Sequence, residues 1–258
     1  MNRTKIPWCD WTWNPLEGCT QVSEGCANCY AASMARRFGR PWGNPVFHED
    51  RLRQPQDVKK PGRVFVCSTS DLFHPEVCGA GFRNANGQLD STLIKARWPE
   101  LCGLLPILFV RDAIIAAPWH TYIILTKRPQ NIPAGWLRDP LSVWLGVTCE
   151  NQSRADERIP LLLNQRASVH FVSVEPMLTP VSLVGYHKRL DWVIAGPETG
   201  PKARRCDDAW IDALSAESPC FFDKRDQWTR REFPSHNAPV DGRGASPRTV
   251  RPDVGTLP

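Results

Sequence analysis

The sequence predicts an α/β fold: a (β/α) barrel, complete or partial, running over residues 1–228 as one domain with an N-terminal three-cysteine metal loop. Three observations carry that expectation. A short β-branched or aromatic run ending in a polar or acidic residue recurs, each time followed by a stretch of helical character. From Tyr122 onward these runs start 21–29 residues apart, the length of one strand, one helix and their loops. The runs are nearly continuous in apolar residues, as a parallel sheet covered on both faces requires. A length of 258 residues fits one such domain.

Taken in order, a degenerate N-terminal unit is followed by YAASMARRF, which predicts a helix over Tyr30–Phe38. Arg63–Asp71 is the first clear strand unit, and Cys78–Gly103, with its GAGFRNANGQ, reads as a loop-like insertion. Strand units follow at Tyr122–Lys127, Val143–Glu150, Val169–Glu175, Asp191–Glu198 and Cys220–Asp223. Between them, Asn151–Asn164 predicts a helix that Pro160 shortens or kinks, and Asp207–Glu217 predicts another with Trp210, Ile211 and Leu214 on one stripe. Residues 229–258 are rich in Arg, Pro and Gly without apolar periodicity, the pattern of a poorly ordered tail. A doubly wound open sheet is the competing topology.

With 41% apolar and 23% charged residues, wholesale disorder is excluded. The opening MNRTKIPWCDWTWN lacks the apolar stretch of a secretory signal, and the longest apolar run, Leu104–Val110, is far short of a membrane span. The expectation is a cytoplasmic protein with reduced thiols and no membrane partner. The net charge of +5 is uneven: residues 1–60 hold nine Lys/Arg against six Asp/Glu, 61–219 hold sixteen of each, and 220–258 hold seven against five. Basic ends around a neutral middle permit a nucleic-acid partner without demanding one.

Of ten cysteines, only Cys19, Cys26 and Cys29 cluster, in GCTQVSEGCANCYA. A C-x2-C pair lets two thiolates reach one ion from a tight turn, and the six-residue gap loops back a third. Gly18 and Gly25 give the turn backbone freedom, and the helix after Cys29 favours thiolate. Two readings stay open: zinc, with His48 as a fourth ligand, or an iron–sulfur cluster with one iron left for a small molecule. The remaining seven cysteines read as inert thiols.

In a parallel barrel, the C-terminal strand ends converge on one mouth. Asp71, Glu150, Glu175 and Glu198 occupy such ends, with Lys127 and Arg128 at another. Paired carboxylates there can divide nucleophile and acid–base roles, and the two cations suit recognition of a carboxylate or of phosphate, the latter as a nucleic-acid site. Each acid could instead be a helix cap. Trp8, Trp11 and Trp13 crowd the N-terminus, where aromatic faces stack bases or simply pack, while Trp144 and Trp192 sit in strands as packing residues.

The segments WTWNPLEGCTQVSEGCANCYA, STSDLFH, LTKRP, WLGVTCENQSRADERIPLLL, FVSVEPML and LDWVIAGPETG, in order from Ile6 to Trp228, resemble a phage and bacterial three-cysteine-motif family of formerly unknown function. The chain departs from that pattern in a long Cys78–Gly103 segment and in FFDKRDQW where many relatives carry an FFKQWGEW-like stretch. The resemblance implies two activities. The cysteines look like those of radical S-adenosylmethionine enzymes, barrels with an N-terminal 4Fe–4S cluster, although the first gap is six residues instead of the usual three. Some phage members are associated with 7-deazaguanine DNA modification and proposed as distant relatives of tRNA-guanine transglycosylases, barrels with a carboxylate nucleophile and a Cys-rich zinc site.

The leading expectation is a DNA guanine transglycosylase that exchanges guanine for a 7-deazaguanine derivative in phage DNA. One of Asp71, Glu150, Glu175 or Glu198 would attack C1′ and another would move protons. Its partners would be DNA and a deazaguanine-type small molecule, in the host cytoplasm if the gene is a phage's. The alternatives are a radical enzyme with a 4Fe–4S cluster and S-adenosylmethionine, and a metal-stabilised nucleic-acid-binding module. A zinc deaminase is set aside, because no H-x-E with a following P-C-x-x-C is present.

Overall fold

One eight-stranded sheet organises the computed structural model, which describes residues 1–40, 42–84, 86–136, 142–225 and 230–234. Its strands are β1 (Asn2–Arg3), β2 (Trp11–Trp13), β5 (Arg63–Val66), β6 (Thr121–Thr126), β7 (Val143–Thr148), β8 (Val169–Val174), β9 (Trp192–Ala195) and β10 (Phe221–Asp223), side by side in that order. β1 is antiparallel to β2 and every other pairing is parallel. A separate two-stranded ribbon pairs β3 (Leu16–Glu17) with β4 (Val46–Phe47). The helices are α1 (Tyr30–Arg37), α2 (Gln54–Asp57), α3 (Pro75–Cys78), α4 (Ser91–Arg97), α5 (Pro106–Ile115), α6 (Gln152–Leu163) and α7 (Asp208–Glu217).

The parallel strands follow chain order without the reversal of a doubly wound sheet. Among the described residues no pairing joins β10 back to β1 or β2. The architecture is therefore mixed α/β with a mostly parallel sheet.

Period-two alternation along the strands separates two apolar layers. Tyr122 and Ile124 of β6, Leu145 and Val147 of β7, and Val172 and Val174 of β8 pack in one cluster with Val110 and Ile114 of α5, Ile159 and Leu162 of α6, and Ile211 and Leu214 of α7. The other face is aromatic: Phe65, Trp144, Phe171, Trp192 and Phe222 cluster with Trp8, which precedes β2. Trp8 lies edge-on to Phe65 on β5 at 4.7 Å and to Trp192 on β9 at 6.4 Å, so the sheet curls until distant strands share a side chain. Gly146 admits the Phe171 ring, which would stand 2.5 Å from a Cβ at that position.

The three expected helices form at α1, α6 and α7, the last two capped by Asn151 and Asp207 side chains that accept from Arg154 N and Ala209 N at 3.0 Å. Pro160 does not shorten α6, which runs through it to Leu163. The Cys78–Gly103 insertion is not merely a loop: it contains α4, and buries Phe82, Ile94, Trp98 and Leu101 in the core. Residues 230–234, within the expected tail, are held against the sheet. Glu232 N donates to Phe221 O at 2.9 Å, Asp223 N to Arg230 O at 2.8 Å, and the Phe233 ring packs tilted against Trp192 and edge-on to Phe222. The rest of the predicted tail, 235–258, lies outside the described residues, as does the 228 boundary itself. No described helix is long and apolar enough to cross a membrane.

Candidate functional site

At the C-terminal ends of the parallel strands lies a cavity of about 430 Å³. Cys19, Cys26 and Cys29 line it together with Asp71, Lys127, Arg128, Glu175 and Glu198. The strand ends thus converge as the sequence predicts. Glu150 does not line the cavity; it stands behind Gly25 of the cysteine loop and is fully buried. His48 lies elsewhere, 3.5 Å from Glu17, so the expected fourth zinc ligand is not at the site.

The first cysteine is held by a buried network. Arg128 Nη1 donates to Cys19 Sγ at 3.3 Å and to Asp71 Oδ2 at 3.1 Å, while its Nη2 donates to Thr20 O at 2.7 Å and Thr20 Oγ1 at 2.9 Å. Asp71 also accepts from Thr126 Oγ1 at 2.8 Å, Lys127 N at 3.2 Å and Phe73 N at 3.0 Å. Both its oxygens are committed, so it is a strut, not an open nucleophile. His74 completes the network. Its Nδ1 accepts from Glu76 N, which leaves the proton on Nε2, directed at Thr20 Oγ1 at 3.0 Å. Burial and the Arg128 charge hold His74 below the usual histidine range. Burial and the nearby Asp71 charge push the Cys19 thiol up to about 11, against the opposing pull of Arg128.

The middle of the loop rests on the end of β7. Arg158 Nη1 reaches Glu150 at 2.9 Å and Lys127 Nζ reaches it at 3.5 Å. Burial raises the Glu150 carboxyl, but Lys127 and Arg158 outweigh it and hold it below the usual range. A Cβ at position 25 would stand 2.9 Å from Glu150, so this approach requires glycine. Asn151 and Arg154 bond the Glu24 side chain from the same strand end.

The far end of the loop rests on the segment after β9. Glu198 accepts from Asn28 Nδ2 at 3.0 Å and is clamped by Arg204 through both oxygens, at 2.9 and 2.5 Å. Arg204 also donates to Glu24 O at 3.0 Å. Its hydrogen bonds draw the Glu198 pKa down to about 2. Glu175 is the exception among the four acids. It lines the cavity, pairs with Lys224, and makes no bond to the cysteine loop.

Two expectations change. The Arg128 guanidinium is buried and bonded to Cys19, Thr20 and Asp71, where the sequence suggests an open cation. Lys127 is half-buried against Glu150, inside the cavity and not on a rim. Sequence reasoning missed Thr20, Asn28, His74, Arg204, Lys224 and Cys67. His74 closes STSDLFH and Asn28 separates Cys26 from Cys29, so motif position was the available signal for both. Cys67 lines the cavity from the left-handed region at φ 58°, a backbone cost that clusters at functional sites.

The donor set suits a metal group in kind: Cys19, Cys26 and Cys29 are free thiols lining the cavity, with Cys67 a fourth and no histidine among the described lining residues. Among the described residues no three His, Cys, Asp or Glu side chains are gathered into a coordination sphere.

Residues 3–92 and 106–250 match the model of a family described as "Protein of unknown function (DUF5131)". The unmatched stretch, 93–105, overlaps the segment that the sequence marks as an insertion. No curated protein and no solved structure matches.

Proposed function

The chain belongs to that family, DUF5131, and we propose that it is an enzyme whose reactive centre is the three-cysteine cavity, a radical S-adenosylmethionine enzyme acting on nucleic acid in the cytoplasm. One observation carries this reading. Three of the four acidic strand ends, with their cations, grip the cysteine loop at Cys19–Thr20, at Glu24–Gly25 and at Asn28. A fold that spends its buried charges on positioning three thiols around a cavity has its chemistry at those thiols. We read the curled, chain-ordered sheet as a partial (β/α) barrel, with the loop after its first parallel strand at the active mouth.

Cys19, Cys26 and Cys29 would hold a 4Fe–4S cluster, a group that would supply one-electron chemistry toward bound S-adenosylmethionine. Arg128 fixes Cys19 through the Asp71 strut. Trp8, Phe65, Ile6 and Leu125 give the cavity an apolar wall that excludes water. Lys127 and the Glu175–Lys224 pair offer the polar contacts that orient a substrate. Anaerobic purification should yield a brown protein with about four irons, the content of such a cluster. Alanine at Cys26 or Cys29 should remove iron and leave the fold. A colourless protein with one zinc overturns the reading.

The transglycosylase reading rests on Glu175, the cavity-lining carboxylate that does not hold the loop. In that reading the cysteines hold zinc, and Glu175 attacks C1′ of the deoxyribose. Guanine leaves, and a glycosyl-enzyme waits for the deazaguanine. Nucleoside mass spectrometry of DNA incubated with the protein and a deazaguanine precursor decides it. Guanine left unexchanged by the wild type, or exchange surviving Glu175→Gln, rules it out.

A further inference from the structure

With Lys127 and Arg128 turned inward, a polyanionic substrate needs another surface, and α1 supplies one beside the cavity. This helix buries Ala31 and Ala35 and leaves Tyr30, Met34 and Phe38 exposed at four-residue spacing, with Phe38 60% exposed. The stripe starts in the cavity wall, which Tyr30 lines. Around its outer end stand Arg36, Arg37 and Arg40, with no acid on α1 itself. The Arg37 and Arg40 guanidinium carbons lie 5.7 and 5.8 Å from the Phe38 ring centroid. Arg36 donates to the Ser33 hydroxyl, and Arg40 approaches Glu17 only at 3.7 Å while remaining largely exposed.

We infer that this face of α1 binds single-stranded nucleic acid and leads it to the cavity: Arg37 and Arg40 contact phosphates, and a base stacks on Phe38. Guanidinium groups beside an open aromatic ring form the platform that unpaired bases occupy, whereas a duplex hides its base faces. Continuity of the stripe with the cavity, through Tyr30, favours a strand whose base is delivered for chemistry over a membrane surface. The inference rests on the proposed function only in taking the cavity as the reactive centre.

Fluorescence anisotropy with a labelled single-stranded oligonucleotide tests it on the intact protein. The double variant Arg37→Glu/Arg40→Glu should bind at least about tenfold more weakly, and its log–log salt slope should fall in magnitude by about 1.4, two phosphate contacts' worth. Phe38→Ala should weaken binding about 5- to 160-fold, the loss of one stacked base. All three side chains are exposed, so unchanged circular dichroism and melting temperature establish that the variants are folded. Absence of oligonucleotide binding by the wild type, or equal affinity in the variants, overturns the inference. Binding to phosphatidylserine vesicles without oligonucleotide binding overturns it in favour of a membrane contact. Iron is assayed on the same samples. Lost iron with intact, Arg-dependent binding fails only the radical-enzyme reading, and intact iron with unaffected binding fails only this one.

Discussion

Arg128 shows what a residue's identity leaves undetermined. LTKRP places two cations at a strand end, where a phosphate site is the natural expectation, yet the direction of each side chain depends on what packs above it. Here the Cys19–Thr20 segment covers the strand end and offers a thiol, a carbonyl and a hydroxyl to one guanidinium, with Asp71 beneath. Arg128→Ala would leave Asp71 buried without its ion pair, a loss of about 3–5 kcal/mol for such a group. Urea denaturation should show it, and Arg128→Lys should recover only part, because one ammonium cannot span the same acceptors. A stability change below about 1 kcal/mol for Arg128→Ala would mean that this network is not the support described. Gly25→Ala is the companion case. Its Cβ would meet Glu150 at 2.9 Å, and overpacking of this kind costs about 1–3 kcal/mol. Because Glu150 is buried and held by Arg158, the shift should fall on the loop, seen as a lower urea midpoint.

At the scale of elements, the strand units and the three helices were legible because apolar periodicity and capping residues are local: Asn151 and Asp207 sit where α6 and α7 begin. α4 was hidden because GAGFRNANGQ precedes it, and its hold on the fold is tertiary. Trp98 Nε1 donates to Glu76 O at 3.0 Å and Arg97 pairs with Glu76. The cysteine loop was legible as a cluster, but its supports come from four separate strand ends, and spacing within the loop carries no trace of them. Those supports predict a pH response with one sign. His74 titrates lower in the folded protein than in the unfolded chain, so its contribution is complete above about pH 6.5 and declines as the pH falls below it. Glu198 sits at about 2 against an ordinary 4.5, so its contribution is present above about pH 4.5 and is lost as the pH falls toward 2. Urea midpoints taken from pH 7 down to pH 3 should therefore fall steadily. Glu198→Gln should flatten the lower part of the curve without altering the upper part, and an unchanged acid slope would remove Glu198 from the account.

Over the whole molecule, the aromatic face of the sheet joins the cavity to the closing segment of the fold. Trp192 touches Trp8, Trp144, Phe171, Phe222 and Phe233, and its Nε1 donates to Glu232 O at 2.9 Å. Phe233 also lies under the Arg63 guanidinium at 4.1 Å, so it connects the start of β5 with β9 and β10, neither of which pairs with β5. Trp8 makes the same connection one layer nearer the cavity, whose wall it forms with Phe65. Composition alone places residues 229–258 in a tail, because a single Phe among Arg and Pro has no period to reveal it. Two truncations separate these accounts. A chain ending at 228 should melt below one ending at 234, because it loses the Phe233 ring contacts, the Trp192 hydrogen bond and the pairing of Arg230 and Glu232 with β10. Aromatic pairs of this kind are worth about 0.5–1.5 kcal/mol each and the lost hydrogen bonds about as much each, and a lost kcal/mol lowers the melting temperature of a chain of this size by about 2–4 °C. The two should then differ by several degrees, with tryptophan emission shifted to the red in the shorter chain as Trp192 meets water. Equal melting temperatures would show that the curl of the sheet is held by Trp8 alone.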